Sequence, residues 1–338
     1  MNLTPFSLSA FRGSAWRLVA ALLLLAAPVV AETCLEAGEI DPATRAAIED
    51  TARNFQQMSA RGDAAGLRAA SIPSVAGSFA GIEQAVLDNQ QGLNGTAVIR
   101  KTYLLEQPGP APNARAEFFC GVFGANGNTV NSAGFVLPNL EPGRYALVIM
   151  DISGPKVPYM LSLVLQQMGA AWKLAGYYAK PAQIAGHDSD WYAQKAREFK
   201  QKGQFRNAWF YFWQAREMAA AVPFMSTLKL DKLYEEAERA RPADLPTNAP
   251  VAADLAGRNF KLTAAFPVVV SDQLDLVVKY ESPDISNTAQ TFADNTAVMR
   301  GLVAKYPELR EGFSGIVVRA VAPNGQDYGT LLAMKDIK

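Results

Sequence analysis

The chain has 338 residues, of which 49% are apolar and 19% are charged, so it is long enough to bury a large core and to form two or three domains. Its 32 lysines and arginines balance its 32 aspartates and glutamates. Because no run of basic residues offers a surface for several phosphates, the composition argues against nucleic acid as a partner.

Residues 1–31 have the pattern of a secretory signal peptide. Arg12 and Arg17 precede an apolar run over residues 18–30, and small residues lead up to Ala31. As a helix this run would rise about 20 Å, which is shorter than a hydrocarbon core of about 30 Å. We therefore predict cleavage after Ala31 and a periplasmic or secreted protein with no membrane span after signal removal; an uncleaved anchor is the alternative.

The mature chain contains two cysteines, Cys34 and Cys120. Two thiols in an oxidising compartment usually pair, so we predict a disulfide that ties the mature N-terminus to a strand. The alternative is that the two residues lie too far apart, since a disulfide needs Cα atoms within about 7 Å.

The first half of the mature chain has helical periodicity followed by strand-like alternation. Apolar residues recur at three- and four-residue spacing over 42–58, and shorter helical patterns cover 63–70 and 82–91. Five segments rich in β-branched and aromatic residues follow, separated by Pro-Gly and Asn-Gly turns, at 97–106, 114–123, 144–152, 159–167 and 172–179. The order predicts three helices packed on an antiparallel sheet, an α+β domain.

Two stretches of this domain resemble the NTF2-like family. NFQQMSARGDAAGLRAA (54–70) is similar to the family's long first helix, its Gly-Asp pair and its short second helix. AAWKLAGYYAK (170–180) is similar to its last strand. The resemblance covers residues 41–182 and implies a cone of helices and curved sheet that often encloses a pocket. Members include isomerases, hydrolases and dehydratases, and others that bind ligands or mediate contacts.

Residues 188–241 are predicted to be helical and resemble a single tetratricopeptide repeat with a capping helix. Large and small apolar residues recur on each side of Gly203, at Tyr192, Ala196, Phe199, Ala208, Phe212 and Ala215. A third helix follows with Leu230, Leu233 and Ala237. Because about three repeats are normally needed to bury a continuous core, this block is expected to pack against a neighbouring domain.

Five consecutive aromatic residues, WFYFW at 209–213, stand in the second of these helices. Successive helical residues turn by about 100°, so the five rings point all around the helix axis. The pattern favours a buried joint between domains, formed by Phe205, Trp209, Phe212 and Trp213. The alternative is an exposed aromatic platform for a ligand or peptide.

Residues 242–257 carry Pro242, Pro246 and Pro250 and are predicted to be a semi-extended linker. Beyond it, alternating segments and one helical pattern predict a ββαββ domain over 258–338. It resembles no family, and peptide capture at its sheet edge is one possible use.

Few residues in the sequence could support catalysis. His187 is the sole histidine, so a catalytic triad, a histidine metal site or a histidine base would have to use it, and its polar connector favours a solvated residue instead. No phosphate-binding, dinucleotide-binding or calcium-binding motif occurs. We therefore expect no cofactor and no metal.

A carboxylate mechanism in the cone survives these exclusions. Glu117 and Asp151 fall on predicted strands, and Tyr103, Tyr145 and Tyr177 are candidate pocket hydroxyls. The favoured prediction is an exported, non-catalytic binding or scaffolding protein whose partner is an unknown protein or a small apolar ligand. The alternative is a pocket enzyme, an isomerase, lyase or hydrolase. A desolvated carboxylate in an enclosed cavity would favour the enzyme, and a cone filled by side chains would favour the scaffold.

Overall fold

The computed structural model describes residues 31–154, 156–247 and 249–338. Residues 1–30, which carry the signal-peptide prediction, lie outside the described residues. Across the described ranges the chain combines helices with sheets whose neighbouring strands are antiparallel except in one pair, so the predicted α+β class is confirmed. No helix in these ranges has both the length and the apolar character that a bilayer crossing requires.

A short strand and four helices open the described chain: β1 (Thr33–Glu36), α1 (Pro42–Ala60), α2 (Ala64–Ala69), α3 (Pro73–Gly77) and α4 (Ala80–Asn89). Helix α1 begins where the Asp41 carboxylate accepts a 2.8 Å hydrogen bond from the backbone N–H of Thr44. It ends ahead of Gly62, whose φ of 70° suits a residue without Cβ. Helix α3 was not predicted, because its five residues carry too little periodicity.

Six strands come next: β2 (Thr96–Gln107), β3 (Asn113–Gly121), β4 (Ser132–Leu140), β5 (Gly143–Ser153), β6 (Tyr159–Met168) and β7 (Ala171–Pro181). Five strands form an antiparallel sheet in the order β1-β2-β5-β6-β7, which we call the main sheet. The helices cover one of its faces, where Phe55, Leu67, Phe79, Met150 and Trp172 are buried together. The space between helices and sheet is therefore filled by apolar side chains.

The hairpin of β3 and β4 lies on the opposite face of the main sheet. This differs from the predicted single sheet, because β3 pairs with β4, and β4 pairs with a two-residue strand from a later segment, β8 (Met225–Ser226). Phe118 and Phe135 of the hairpin pack onto Tyr103 and Leu147. The central strands are apolar on both faces, so the second face needs this cover. Strand β4 was not predicted, since its glycine and proline disguise the alternation.

A disulfide joins Cys34 of β1 to Cys120 of β3, with Cα atoms 5.1 Å apart. The pairing expected from the two cysteines is therefore present. It links the edge of the main sheet to the hairpin that covers it. Such a bond is compatible with an extracellular protein.

Three helices follow and are called here the helical block: α5 (Ser189–Gln201), α6 (Phe205–Ala219) and α7 (Leu228–Glu238). Helix α5 begins where the Asp188 carboxylate accepts a 2.9 Å hydrogen bond from the backbone N–H of Trp191. Gly203, with a φ of 76°, separates α5 from α6. The fully buried Ala196 and Ala208 allow these two helices to approach closely.

The aromatic run of α6 is packed into the protein core. Residues 209–212 are buried and Trp213 is half-buried, with its ring 5.9 Å from that of Tyr234 in α7. Phe205 differs from the prediction, because it is 46% exposed at the first turn of the helix. The other three predicted joint residues belong to the shared core or pack against it.

The contacts of α6 with the C-terminal domain come from Phe210 and Tyr211, which the sequence did not assign to the joint. Both rings pack edge-on against Phe313, at centroid distances of 5.6 and 6.2 Å. Asn207 adds a hydrogen bond to the backbone carbonyl of Glu308 at 2.6 Å. One hydrophobic core therefore runs through the helical block and the C-terminal domain.

The C-terminal domain contains β9 (Val251–Leu255), β10 (Arg258–Val270), β11 (Gln273–Glu281), α8 (Thr288–Lys305), α9 (Leu309–Gly312), β12 (Gly315–Val321) and β13 (Asp327–Ala333). The sheet order is β13-β12-β11-β10-β9, with β11 and β12 parallel across the α8 crossover. We call it the C-terminal sheet. Strand β9 corrects the linker prediction over 242–257, because residues 251–255 bury Ala253 and Leu255 and pair with β10.

Candidate ligand-binding cleft

A cleft lies between the main sheet and the helical block. It has a volume of about 690 Å³. Its walls are the hairpin-facing side of the main sheet, the loop that joins β3 to β4, the first turns of α5 and α7, and the end of α6. This is a different place from the interior between helices and sheet where the family resemblance implied a pocket.

The floor of the cleft is apolar and rich in methionine. Tyr103, Ile149 and Met160 come from the main sheet, and Met218 and Met225 come from the end of α6 and from β8. Tyr103 packs edge-on against Phe135 at 5.1 Å, and burial raises the pKa of Tyr103 to about 12. Its phenol is therefore neutral at physiological pH and presents an uncharged surface.

Ion pairs surround this floor on the main sheet. A register shift between Ile99 and Lys101 leaves Arg100 as an extra residue in β2. Arg100 pairs with Asp151 at 3.2 Å and donates a hydrogen bond to the sulfur of Met160 at 2.9 Å. Lys101 pairs with Glu36 at 3.6 Å. The bulge therefore places one cation over the methionine floor.

The helical block contributes matching pairs on the other side. Arg197 of α5 makes two 2.8 Å hydrogen bonds to the carboxylate of Glu236 in α7, and these bonds lower the pKa of Glu236. Lys229 pairs with Asp190 at 2.7 Å. Together with the pairs on the main sheet, these contacts neutralise most of the charge around the cleft.

The two walls of the cleft are fastened to each other. Strand β8 is hydrogen-bonded to β4, and Asn128 in the β3–β4 loop donates 2.7 Å hydrogen bonds to Ser226 and to Asp231 of α7. Lys180 of β7 donates to the backbone carbonyls of Glu217 and Ala220 at the end of α6, where a cation suits the helix dipole. Both sets of contacts therefore join the two walls across the boundary of the cleft.

Of the predicted pocket residues, the structure brings Tyr103 and Asp151 into the same cleft. Glu117 is not among its lining residues and pairs with Arg115 at 2.5 Å. Tyr145 is a structural residue whose hydroxyl donates to the carbonyl of Glu141 at 2.9 Å.

Tyr177 lies on the other face of the main sheet, buried against the helices. Burial raises the pKa of Tyr177 to about 12. His187 lies in the turn before α5, where its ring stacks on Trp191 at 3.7 Å. Among the described residues, no group of three or more His, Cys, Asp or Glu side chains could hold a metal ion.

The methionines and the bulged Arg100 were missed by sequence reasoning. They come from four elements, β2, β6, α6 and β8, and nothing in their local pattern indicates that these elements line one cleft. One part of the site could have been predicted from the sequence. The repeat-like spacing of the helical block predicts that its helices are neighbours, and neighbouring helices can form ion pairs such as Arg197 with Glu236.

A second, smaller groove of about 560 Å³ follows the outer edge of β2. Strand β1 pairs only with residues 103–106, so among the described residues the first half of β2 has no neighbouring strand on that side. Glu49 and Arg53 of α1 form its other wall. Its charged walls contrast with the apolar floor of the larger cleft.

Comparison of the chain with family models, with curated proteins and with solved structures found no match.

Proposed function

We propose that this chain is an exported, non-catalytic binding protein that holds a small, uncharged apolar ligand in the cleft between the main sheet and the helical block. The observation that carries the proposal is the methionine-rich apolar floor inside a ring of ion pairs. The sequence led us to expect binding of either a small ligand or a protein. The proposal selects a small ligand, places it in this cleft and assigns it a neutral, apolar chemistry.

The size and lining of the cleft support ligand binding. Sites for small molecules usually measure about 300–1,000 Å³, lie at domain boundaries and are lined by apolar groups with a few polar ones. The cleft has a volume in this range, about 690 Å³, and lies at such a boundary; its floor is apolar, and its walls carry paired charged side chains. Met160, Met218 and Met225 add side chains that are flexible and polarisable, which suits a ligand of irregular shape.

The charges of the lining favour a neutral ligand. Four cations of the lining each face a carboxylate partner. Lys232 and Asp188 complete the charged set with one charge of each sign. Because the charges balance, the lining as a whole favours neither an anionic nor a cationic ligand.

The positions of the two candidate carboxylates favour binding over catalysis. A general acid or base needs a desolvated group tuned towards neutral pH. The Asp151 side chain is 51% exposed and is paired with Arg100. Glu117 does not line the cleft. The alternative of an isomerase, lyase or hydrolase therefore gains no support from these residues.

We also infer an NTF2-like domain over residues 41–182, a tetratricopeptide-like hairpin with a capping helix over 188–241, and a periplasmic or secreted location. Helices followed by antiparallel strands, with the helices on one face, support the first inference. The buried alanines between α5 and α6 support the second. The disulfide of Cys34 with Cys120 supports the third.

The test is a titration of the purified mature chain with N-phenyl-1-naphthylamine, a neutral dye whose fluorescence rises in apolar surroundings. Ala219 lines the cleft at the end of α6, so Ala219→Trp should fill it and weaken dye binding at least about tenfold. The matched control is Ala289→Trp, on an exposed turn of α8 outside the cleft, which should bind like the wild type.

Dye binding that is equal in the wild type and in Ala219→Trp would show that the cleft is not the binding site. Native mass spectrometry of the wild-type chain gives an independent reading. A retained small molecule that is absent from the Ala219→Trp chain is the expected result, and retention by both chains would contradict it.

A further inference from the structure

The C-terminal sheet has one open face that carries an apolar row. Phe266 of β10 lies opposite Val277 of β11, which lies beside Val317 of β12, and Val317 lies opposite Leu331 of β13. Alternate residues of these strands point the other way, into the core shared with the helices. Phe266 is 40% exposed and Leu331 is 47% exposed, so the described chain leaves both ends of the row open to water.

A buried carboxylate interrupts this apolar surface. Asp275 precedes Val277 by two residues on the same face of β11, and it lies opposite Val268 of β10. It is only 5% exposed. Gly315 makes room for it, because a Cβ at that position would lie 3.2 Å from the Asp275 carboxylate oxygen and 3.3 Å from a methyl group of Leu331.

Asp275 has no cationic partner within ion-pairing distance in the described ranges. Burial raises the pKa of Asp275, and a hydrogen bond from the backbone N–H of Gly315 only partly opposes this. The two cations further along these strands have other contacts: Arg319 of β12 pairs with Asp327 at 2.5 Å, and Lys279 of β11 lies over the ring of Phe266 at 5.9 Å. A carboxylate among valine and leucine side chains is costly unless a cation joins it.

Charge complementarity identifies the kind of partner that fits. We propose that this open face docks a protein segment that carries a lysine or arginine between apolar side chains, with the basic group paired to Asp275 and the apolar groups covering Phe266 and Leu331. The central charge gives the contact its specificity, and the apolar row supplies the area buried.

The same carboxylate argues against two other occupants. A symmetric pair of copies meeting at the centre of this face would set two Asp275 side chains against each other, which like charges disfavour. A lipid surface would bury the carboxylate against hydrocarbon or anionic headgroups without supplying a fixed cation. The docking surface is separate from the cleft and does not depend on the function proposed for it.

The test begins with a random dodecapeptide library displayed on phage and selected on the immobilised mature chain. Enriched peptides are then synthesised with a fluorescent label, and their affinities are measured by anisotropy. Peptides with a lysine or arginine flanked by apolar residues should be enriched. They should bind Asp275→Asn and Leu331→Ser at least about tenfold more weakly than the wild type.

The matched control is Asp254→Asn, the same charge change at an exposed position of β9 in the same sheet, which should leave affinity unchanged. Asp275→Asn keeps the shape of the side chain, and its thermal melt reports whether it folds. If the peptides bind Ala219→Trp as tightly as the wild type, their binding site is this face and not the cleft. Any of four results would overturn the proposal: enriched peptides that are neutral or acidic, equal peptide affinity for Asp275→Asn and the wild type, an absence of binding peptides, or self-association of the wild type that is lost in Leu331→Ser.

Discussion

The hydroxyl of Tyr211 donates a 2.7 Å hydrogen bond to the backbone carbonyl of Gly312, and both groups are buried where the helical block meets the C-terminal domain. The bond belongs to a core that the two units share, with Phe313 packed against the same ring. The two units should therefore unfold together.

Replacing Tyr211 with phenylalanine should lower the free energy of unfolding by about 1–3 kcal/mol, because the buried carbonyl of Gly312 loses its donor. Urea unfolding followed by tryptophan fluorescence and by circular dichroism measures this change. Tyr234→Phe is the control, since Tyr234 is exposed and should change stability by less than about 0.5 kcal/mol. Two separate transitions in the wild type would contradict the shared core.

Removing the disulfide should be costly. Cys34 and Cys120 are separated by 86 residues, and closing a loop of that length is expected to stabilise the folded chain by roughly 4–5 kcal/mol. The variant Cys34→Ser with Cys120→Ala avoids new free thiols and keeps the buried position apolar. Its urea midpoint should fall well below that of the oxidised wild type and match that of the wild type with reductant. Equal midpoints for all three would show that the bond does not constrain the chain.

Gly301 of α8 is required by the close approach of the helix to β9. A Cβ at this position would lie 2.5 Å from the Cβ of Leu255, so Gly301→Ala should lower the free energy of unfolding by about 1–3 kcal/mol. Gly81→Ala in α4 is the opposite case, because no neighbouring heavy atom lies within 4 Å of its added Cβ. It should be neutral or raise stability by up to about 1 kcal/mol. Thermal melts of both variants check the difference in sign.

Stability should fall in alkaline solution because of buried tyrosines. Burial raises the pKa to about 12 in Tyr103, Tyr177, Tyr192 and Tyr280. In the unfolded chain tyrosine titrates near pH 10. Between about pH 10 and pH 12 the unfolded chain therefore binds fewer protons than the folded chain, so the free energy of unfolding decreases as the pH rises.

Each of these tyrosines lowers the free energy of unfolding by up to about 1.4 kcal/mol per pH unit over that range, and by little below about pH 9. Urea unfolding at pH 8, 10 and 11 should give a shallower decline for Tyr177→Phe than for the wild type. The exposed Tyr234 provides the comparison, since Tyr234→Phe should decline like the wild type. A decline that begins near pH 8 would point to other groups.

Local pattern predicted most individual elements of the fold. The helix expected over 42–58 is α1, and the five expected strands are β2, β3, β5, β6 and β7. These succeed because helix and strand periodicity, caps and turn residues act over a few neighbours along the chain. Residues 251–255 show the limit of this approach, since their two alanines and the prolines that precede them indicate a linker, and only the pairing with β10 makes them a strand.

The sequence by itself determined the α+β class and showed two cysteines that can pair. It also contains no run of basic residues that would indicate nucleic acid and no motif that would indicate a bound cofactor. Only the tertiary structure decided that β3 leaves the main sheet, that Phe205 stays exposed, and that Met160 meets Met218 at one cleft. The physical reason is the distance along the chain between the residues that interact. Which faces meet depends on the burial of apolar surface across the whole chain, and residues distant in sequence contribute to that burial together.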